Sequence, residues 1–167
     1  MLEKQRYENQ DFSHIVVEEN MEKQEFIHCS FQNVDFSEIS SIDHCKFESC
    51  DFSSSALNGV DIWNSAFLNC KFHHANFFAT SFDYCKMTGS SFVYTDASLW
   101  KIVGGDWSLT ELCMLEFDKQ ALQHVSFTGA DLSDCRFTKC KLEECDFSQA
   151  IVNGVSFFKS DIRGSFL

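Results

Sequence analysis

The chain has 167 residues, of which 44% are hydrophobic and 23% are charged. This balance supports one domain with a buried core and excludes a disordered acidic tail. The formal net charge of −12 argues against direct binding to nucleic acid or to an anionic membrane surface, because both attract clustered Lys and Arg. The N-terminal segment is hydrophilic and no apolar run is long enough to span a bilayer, so we expect a cytoplasmic protein.

The first 40 residues carry an incomplete version of a five-residue apolar step. Spacing is irregular around Val16 and Val17, so residues 1–20 are expected to form either an irregular first coil or a cap over the end of the domain. A six-residue interval before Ile42 indicates one inserted residue near positions 40–41. The apolar residues that keep the step of five within this part are Tyr7 with Phe12, and then Met21, Phe26, Phe31 and Phe36.

From Ile42 to Leu167 every fifth residue is apolar, at all 26 positions. A period of five fits neither a helix nor a continuous strand. It fits a short extended piece followed by a corner, in which the fifth residue and the residue two before it both point inward. Corner positions hold turn formers such as Asn58-Gly59 and Thr128-Gly129. The chain is therefore predicted to wind as a coil, although the period alone leaves the number of sides open.

The residue two before each apolar position is small in 23 of the 26 cases, and the exceptions are Trp100, Leu115 and Gln120. Eight of the nine cysteines occupy such inward positions, and only Cys113 does not. These cysteines are predicted to be small buried fillers, because the count is odd and no export signal indicates a disulfide framework. The stretch from Trp100 to Leu115 breaks the small-residue rule twice, which predicts a local widening or bulge.

Units such as Cys50-Asp51-Phe52-Ser53-Ser54 and Ala130-Asp131-Leu132-Ser133-Asp134 resemble the A(D/N)LXX consensus of pentapeptide repeat proteins. The resemblance covers almost the whole chain. It implies an all-β solenoid, a right-handed quadrilateral β-helix of pentapeptide repeats with about eight coils, in which residues 1–167 form a single domain. At about 4.8 Å between coils, the rod would be about 38 Å long.

No catalytic or metal-binding constellation emerges from the sequence. His73-His74 near Cys70 have no standard zinc spacing, and the cysteine is predicted to point inward while the histidines lie on a corner. Carboxylate pairs such as Glu143-Glu144 fit a solvated surface better than an acid–base pair. We therefore predict no enzymatic activity, no metal and no cofactor.

The surface offers three sets of candidate binding residues. Acidic residues gather on two of the implied sides, and exposed aromatic residues are frequent interface anchors, although they could instead shield their own corners. The C-terminal coil ends without a polar cap, which predicts a homodimer through that end. The acidic candidates are Asp51, Glu111, Asp131 and Asp134 on one side with Asp61 and Asp83 on another; the aromatic ones are Trp63, Tyr84 and Tyr94; the dimer end is Ile162, Phe166 and Leu167.

Two functional hypotheses remain, besides a repeat protein of purely local role. The first is a non-catalytic scaffold, a rigid acidic rod that binds an unidentified protein partner. The alternative follows from the resemblance, since quinolone-resistance members of the family mimic DNA and bind DNA gyrase or topoisomerase IV. This chain is shorter than those members and lacks their inserted loops and C-terminal helical segment. A duplex of about 38 Å carries about 22 charges, so a net charge of −12 makes a dilute mimic.

Overall fold

The structure, a computed structural model, describes Leu2 and residues 4–167; Met1 and Glu3, which belong to the predicted first coil or cap, lie outside the described residues. Regular structure within the described part consists of very short parallel strands joined by turns. The strands are β1 Arg6–Glu8, β2 Met21–Glu22, β3 Glu25–Ile27, β4 Ser41–Asp43, β5 Lys46–Glu48, β6 Asp61–Trp63, β7 Ala66–Leu68, β8 Ser81–Asp83, β9 Lys101–Val103, β10 Glu116–Asp118 and β11 Arg136–Thr138.

Parallel pairing between residues 20 apart stacks the coils into four sides, which confirms the predicted all-β solenoid. We number the sides in chain order. Side 1 carries β1, β3, β5 and β7, and continues through Lys86, Asp106, Ser126, Asp146 and Phe166. Side 1 therefore has nine paired positions, which we call rungs, and these enclose eight turns of the chain. Side 2 carries Asp11, Ser30, Asp51, Lys71, Ser91, Glu111, Asp131 and Ile151.

Sides 3 and 4 complete each coil. Side 3 carries Asp35, Ala56, Asn76 and Asp96, and then β10, β11 and Ser156. Side 4 carries β2, β4, β6, β8 and β9, and then Ala121, Lys141 and Asp161. Because a coil passes sides 1 to 4 in order, sides 2 and 4 face in opposite directions.

Each side ends at a residue in the left-handed region of backbone space. All 25 positions that lie two residues after a core residue, from His44 to Gly164, have positive φ, and the φ values of the non-glycine residues among them lie between 47° and 62°. Glycine and asparagine accept this conformation readily, whereas bulky side chains pay for it. Many corners nevertheless carry large residues, including Leu99, Leu109 and Met114.

The core is built from rings stacked one coil apart. Phe52 stacks on Phe31 at 4.9 Å and on Phe72 at 5.1 Å between ring centroids, and all three rings are fully buried. A second stack joins Phe26, Phe47 and Phe67 at 5.0 and 4.6 Å. The buried area of each coil therefore depends on its two neighbours, as in other solenoids.

Several of the small inward residues do more than fill space, because their hydroxyl or thiol groups donate hydrogen bonds to carbonyls of the preceding coil. Thr80 Oγ1 donates to the Leu57 carbonyl at 2.7 Å, and the Cys85 thiol donates to Ile62 at 3.3 Å. All nine cysteines are free and eight are buried, as predicted for inert fillers. Burial raises the pKa of Cys85 and Cys135 to about 12, which keeps both thiols protonated.

Register changes mark the first two coils. Arg6 pairs with Glu25 and Asp11 with Ser30, so the first coil contains 19 residues. Asp35 pairs with Ala56, 21 residues on, whereas β4 pairs with β6 at a spacing of 20. The extra residue therefore lies between positions 36 and 41. Residues 13–20 form a loop outside the strand ladders.

Candidate binding surfaces

Side 2 brings four of the acidic candidates together. Glu111 and Asp131 occupy neighbouring rungs, and Asp134 lies at the corner that follows Asp131. Asp51 lies three rungs before Glu111, next to Lys71. The side therefore presents carboxylates in a row parallel to the rod axis, with one lysine among them.

The aspartates of this row also hold the corners in shape. Asp51 Oδ1 accepts hydrogen bonds from the Ser53 backbone N–H at 2.9 Å and from the Ser53 hydroxyl at 2.6 Å. Burial acts to raise the pKa of Asp51, but the bonds from Ser53 and from the Gln32 amide outweigh it, and the pKa lies below its ordinary value. Hydrogen bonds from Ser133 likewise lower the pKa of Asp131. Asp51 and Asp131 are thus ionised turn residues as well as surface charges.

Asp61 and Asp83 lie on the opposite face of the rod from Asp51. Both belong to side 4, where Asp61 pairs with Ser81 and accepts its hydroxyl at 2.7 Å. Asp83 pairs with Trp63. The six acidic candidates therefore form two separate surfaces, which no single flat partner contacts at once.

The aromatic candidates are exposed, but two of the three pack on neighbouring corners. The Tyr84 ring covers Gly104, where an added Cβ would come within 2.8 Å of it. Tyr94 stacks on His74 at 5.2 Å between ring centroids. Trp63 lies on side 4 beside Asp83 and Asp43. The three rings therefore do not form one patch.

The C-terminal coil leaves apolar side chains uncovered. Ile162, Phe166 and Leu167 are exposed, together with Val152 of the same core frame. Phe166 still pairs with side 1, where the Phe147 N–H donates to its carbonyl at 2.7 Å. Beyond this coil no further rung covers the exposed residues within the part of the chain that the structure describes.

A cleft between two coils is the feature that the candidate residues did not include. The coil of residues 86–105 pairs with the next coil at Lys86–Asp106 on side 1 and at Ser91–Glu111 on side 2. Across the described residues, no bridge links Asp96 to Glu116 on side 3 or Lys101 to Ala121 on side 4. The opening measures about 390 Å³ and lies between residues 95–100 and 114–120.

Backbone hydrogen bonds that every neighbouring coil makes are missing here. In the preceding coil, Phe77 N–H donates to Asp96 at 2.8 Å and Ala79 N–H donates to Ser98 at 3.0 Å. The equivalent N–H groups, which belong to Ala97 and Leu99, have no acceptor among the described atoms, and the Glu116 and Ala121 N–H groups have none either. The Ile102 N–H reaches only the Gln120 side chain, at 3.4 Å.

The cause lies in the layer of inward residues. Trp100 projects inward from the coil of residues 86–105 and Leu115 from the coil that follows it, at positions where most other coils place Ser, Thr, Cys, Ala or Val. Trp100 packs against Phe117 at 5.7 Å, so the core stays filled while the backbones separate. All three exceptions to the small-residue rule, Trp100, Leu115 and Gln120, line the cleft. The exceptions to the small-residue rule are visible in the sequence, and the predicted widening occurs. Only the stacking of the coils brings the three residues together around one cleft.

The described residues lack two other classes of feature, a metal-binding cluster and a membrane-spanning helix. None of the His, Cys, Asp and Glu side chains described here cluster in a way that could hold a metal ion. Nor does this part of the chain contain a helix that could cross a membrane.

Comparison with known sequences identifies the repeat. A family profile described as pentapeptide repeats matches eight copies, over residues 55–92 and 121–167, which is more than half of the chain. The chain belongs to the pentapeptide repeat family. Residues 93–120, between the two matched ranges, contain Trp100, Leu115 and Gln120. No curated protein matches the chain.

Solved pentapeptide repeat structures share the fold at low sequence identity. QnrB1, a plasmid-mediated fluoroquinolone resistance protein, superposes with a TM-score of 0.67 at 17% identity in one trypsin-treated form, covering 93% of this chain and 88% of that one. Full-length QnrB1 gives 0.64 at 16%, covering 93% and 90%. HetL from the cyanobacterium Nostoc sp. strain PCC 7120, involved in heterocyst differentiation regulation, gives 0.51 at 12%, covering 98% and 91%.

Proposed function

We propose that this pentapeptide repeat protein is a non-catalytic binding scaffold whose side 2 docks on a positively charged surface of a partner protein. The observation that carries the proposal is the row of Asp51, Glu111, Asp131 and Asp134 along one side of the rod. Stacked parallel strands keep such a row at fixed spacing, so little conformational entropy is lost when a partner binds.

Electrostatics supports the same surface. Hydrogen bonds that lower the pKa of Asp51 and Asp131 keep both carboxylates ionised at neutral pH. Complementary charge accelerates encounter with a basic partner and orients it. Sides 2 and 4 face away from each other, so one rod can bind two partners or bind one partner in a single orientation.

The proposal is tested by variants that neutralise carboxylates of side 2 and keep the hydrogen bonds that hold the corners in shape. The triple variant Asp51→Asn, Glu111→Gln and Asp131→Asn removes three of the four negative charges of the row, while asparagine still accepts the corner hydrogen bonds. A matched control neutralises Asp43, Asp61 and Asp83 on side 4. Partners captured from the host by the wild type and by the side-4 variant, but lost by the side-2 variant, support side 2. Equal capture by all three proteins contradicts it.

The second candidate is a DNA mimic that binds DNA gyrase or topoisomerase IV and protects it from fluoroquinolones. It is supported by the acidic row along one side of the solenoid and by the shared fold with QnrB1. Gyrase supercoiling with and without a fluoroquinolone, at micromolar rod concentrations, separates it from the general scaffold. Inhibition or protection that the side-2 variant loses supports the mimic, and no effect of the wild type contradicts it.

We also propose a homodimer through the C-terminal coil. Ile162, Phe166 and Leu167 expose apolar surface at an end with unpaired backbone groups, which a second copy can cover. Light scattering should report a dimer that becomes a monomer in Phe166→Ser, Leu167→Ser. A wild type that is already monomeric would defeat the proposal.

A further inference from the structure

The cleft between residues 95–100 and 114–120 exposes backbone on two consecutive sides of one coil. On the edge formed by residues 95–100, the Ala97 and Leu99 N–H groups lack acceptors, and the Thr95 and Trp100 carbonyls lack donors, among the described atoms. On the opposite edge, which belongs to the next coil, the Glu116 and Ala121 N–H groups are unpaired. Donors and acceptors in this alternating order are what the edge of a parallel sheet presents to an incoming strand.

The walls of the cleft combine apolar and acidic groups. Leu99 and Met114 are exposed corner residues at its mouth. Asp96, Glu116 and Asp118 also line it, and no Lys or Arg does among the described residues. Glu116 contacts Arg136 at 3.1 Å and Asp118 contacts Lys119 at 3.3 Å, but these ion pairs are exposed and therefore weak. Cationic groups from a ligand can compete for both carboxylates.

The interior adds an unused donor. Trp100 is 2% exposed, and its Nε1–H has no acceptor in the structure. A buried indole N–H normally finds a partner. The unpaired indole N–H of Trp100 therefore lies at the same place where the hydrogen-bond ladder between the two coils is interrupted.

We propose that this cleft binds an extended segment of a partner protein, which adds as a strand to sides 3 and 4 and directs Lys or Arg side chains to Asp96, Glu116 and Asp118. Strand addition supplies affinity through main-chain hydrogen bonds, and alternate side chains supply specificity. The large residues at positions 100 and 115 hold the cleft open. This inference rests on the proposed binding function, but it uses a surface other than side 2.

Labelled hexapeptides of defined chemistry provide the test. A lysine–valine alternating peptide should bind at least ten-fold more tightly, by fluorescence anisotropy, than its aspartate–valine counterpart. N-methylation of alternate backbone amides in the lysine peptide should weaken binding at least ten-fold, because the ladder cannot form. Absence of binding by any peptide, equal binding by the two charge types, or indifference to N-methylation would each overturn the proposal.

Variants locate the binding site. Trp100→Ser with Leu115→Ser restores small inward residues and should abolish peptide binding by closing the coils. The matched control, Val60→Ser, changes the inward position that corresponds to Trp100 in a coil whose ladders are continuous, and it should bind as the wild type does. The side-2 neutralised variant should also retain the peptide, so that failure of the cleft and failure of side 2 give different results.

Hydrogen exchange on the wild type keeps the test independent of variant folding. The Ala97 and Leu99 amides should exchange rapidly in the free protein and gain at least ten-fold protection with the lysine–valine peptide. The Ala79 amide, which is paired to Ser98 at 3.0 Å, should be protected in both states. Protection of Ala97 and Leu99 without peptide would show a closed ladder and overturn the proposal.

Discussion

Residues 41–92 and residues 93–120 follow the same five-residue step. They differ in the size of the inward residue that lies two positions before each core residue. The first region places only Cys, Ser, Thr, Ala or Val two residues before each core side chain, whereas the second includes Trp100, Leu115 and Gln120. In the first region the parallel ladders continue on all four sides, and in the second two sides separate. The apolar residue at every fifth position therefore sets the path of the chain, while the size of the residue two positions before it sets the distance between coils.

The largest expected effect lies in the regular region. Phe52→Ala removes a fully buried ring that stacks on Phe31 and Phe72, and coils held at strand spacing cannot collapse into the space. We expect the free energy of unfolding to fall by about 3–5 kcal/mol, measured by urea denaturation. A loss below about 1 kcal/mol would mean that the stack relaxes and that the coil spacing is soft.

Corner residues should respond by a smaller amount and in opposite directions. Leu99 is 75% exposed with φ of 57°, and Asn64 occupies a different corner, at the end of side 4 in the regular region, with φ of 47°. Leu99→Asn should raise the free energy of unfolding by about 1 kcal/mol, and Asn64→Leu should lower it by about 1 kcal/mol. If Asn64→Leu leaves the free energy of unfolding unchanged in urea denaturation, the left-handed conformation does not penalise leucine at these corners.

The acid dependence of stability should include a contribution from the side-2 aspartates. The pKa of Asp131 is lowered in the fold by the Ser133 hydrogen bonds, so its stabilising contribution is present above the unfolded value of about 3.9. That contribution is lost as the pH falls from there through the folded pKa. Asp131→Asn keeps the corner bond and should flatten the urea midpoint below pH 4; an unchanged pH profile would contradict the assignment.

The smallest net effect is expected at the cleft itself. Trp100→Ser loses a large buried side chain, a loss that in a rigid core costs about 3–5 kcal/mol. Closure of the ladder would regain several backbone hydrogen bonds at about 1 kcal/mol each. We therefore expect a change in the free energy of unfolding close to zero. If the free energy of unfolding falls as far as it does for Phe52→Ala, the two coils do not approach each other when Trp100 is replaced by serine.

Much of the fold follows from the sequence because the pattern is local. Burial of Phe47, Phe52 and Leu57, and of the cysteines two residues before a core position, could be predicted from spacing alone. The prediction that corners favour turn formers was incomplete, because Leu109 and Tyr84 also adopt left-handed backbone there. The left-handed conformation recurs at every corner from His44 to Gly164, whatever the side chain.

The candidate surfaces could be predicted only in part. Asp51 and Asp131 were assigned to one side by counting residues, and the ladder places them there. Their second role as corner acceptors for Ser53 and Ser133 requires the turn geometry. The cleft was visible in the sequence only as exceptions to a rule about residue size.

The amino-acid order alone specified which side chains enter the rod, because inward and outward positions repeat every five residues within each short extended piece. Tertiary structure decided how the coils meet. Trp100 and Leu115 are 15 residues apart, and they separate the backbones only because the solenoid brings consecutive coils into contact. The residue sizes predict a widening near Trp100 and Leu115, but the volume excluded between neighbouring coils is a property of the stack, and only the stack decides that sides 3 and 4 separate while sides 1 and 2 stay paired.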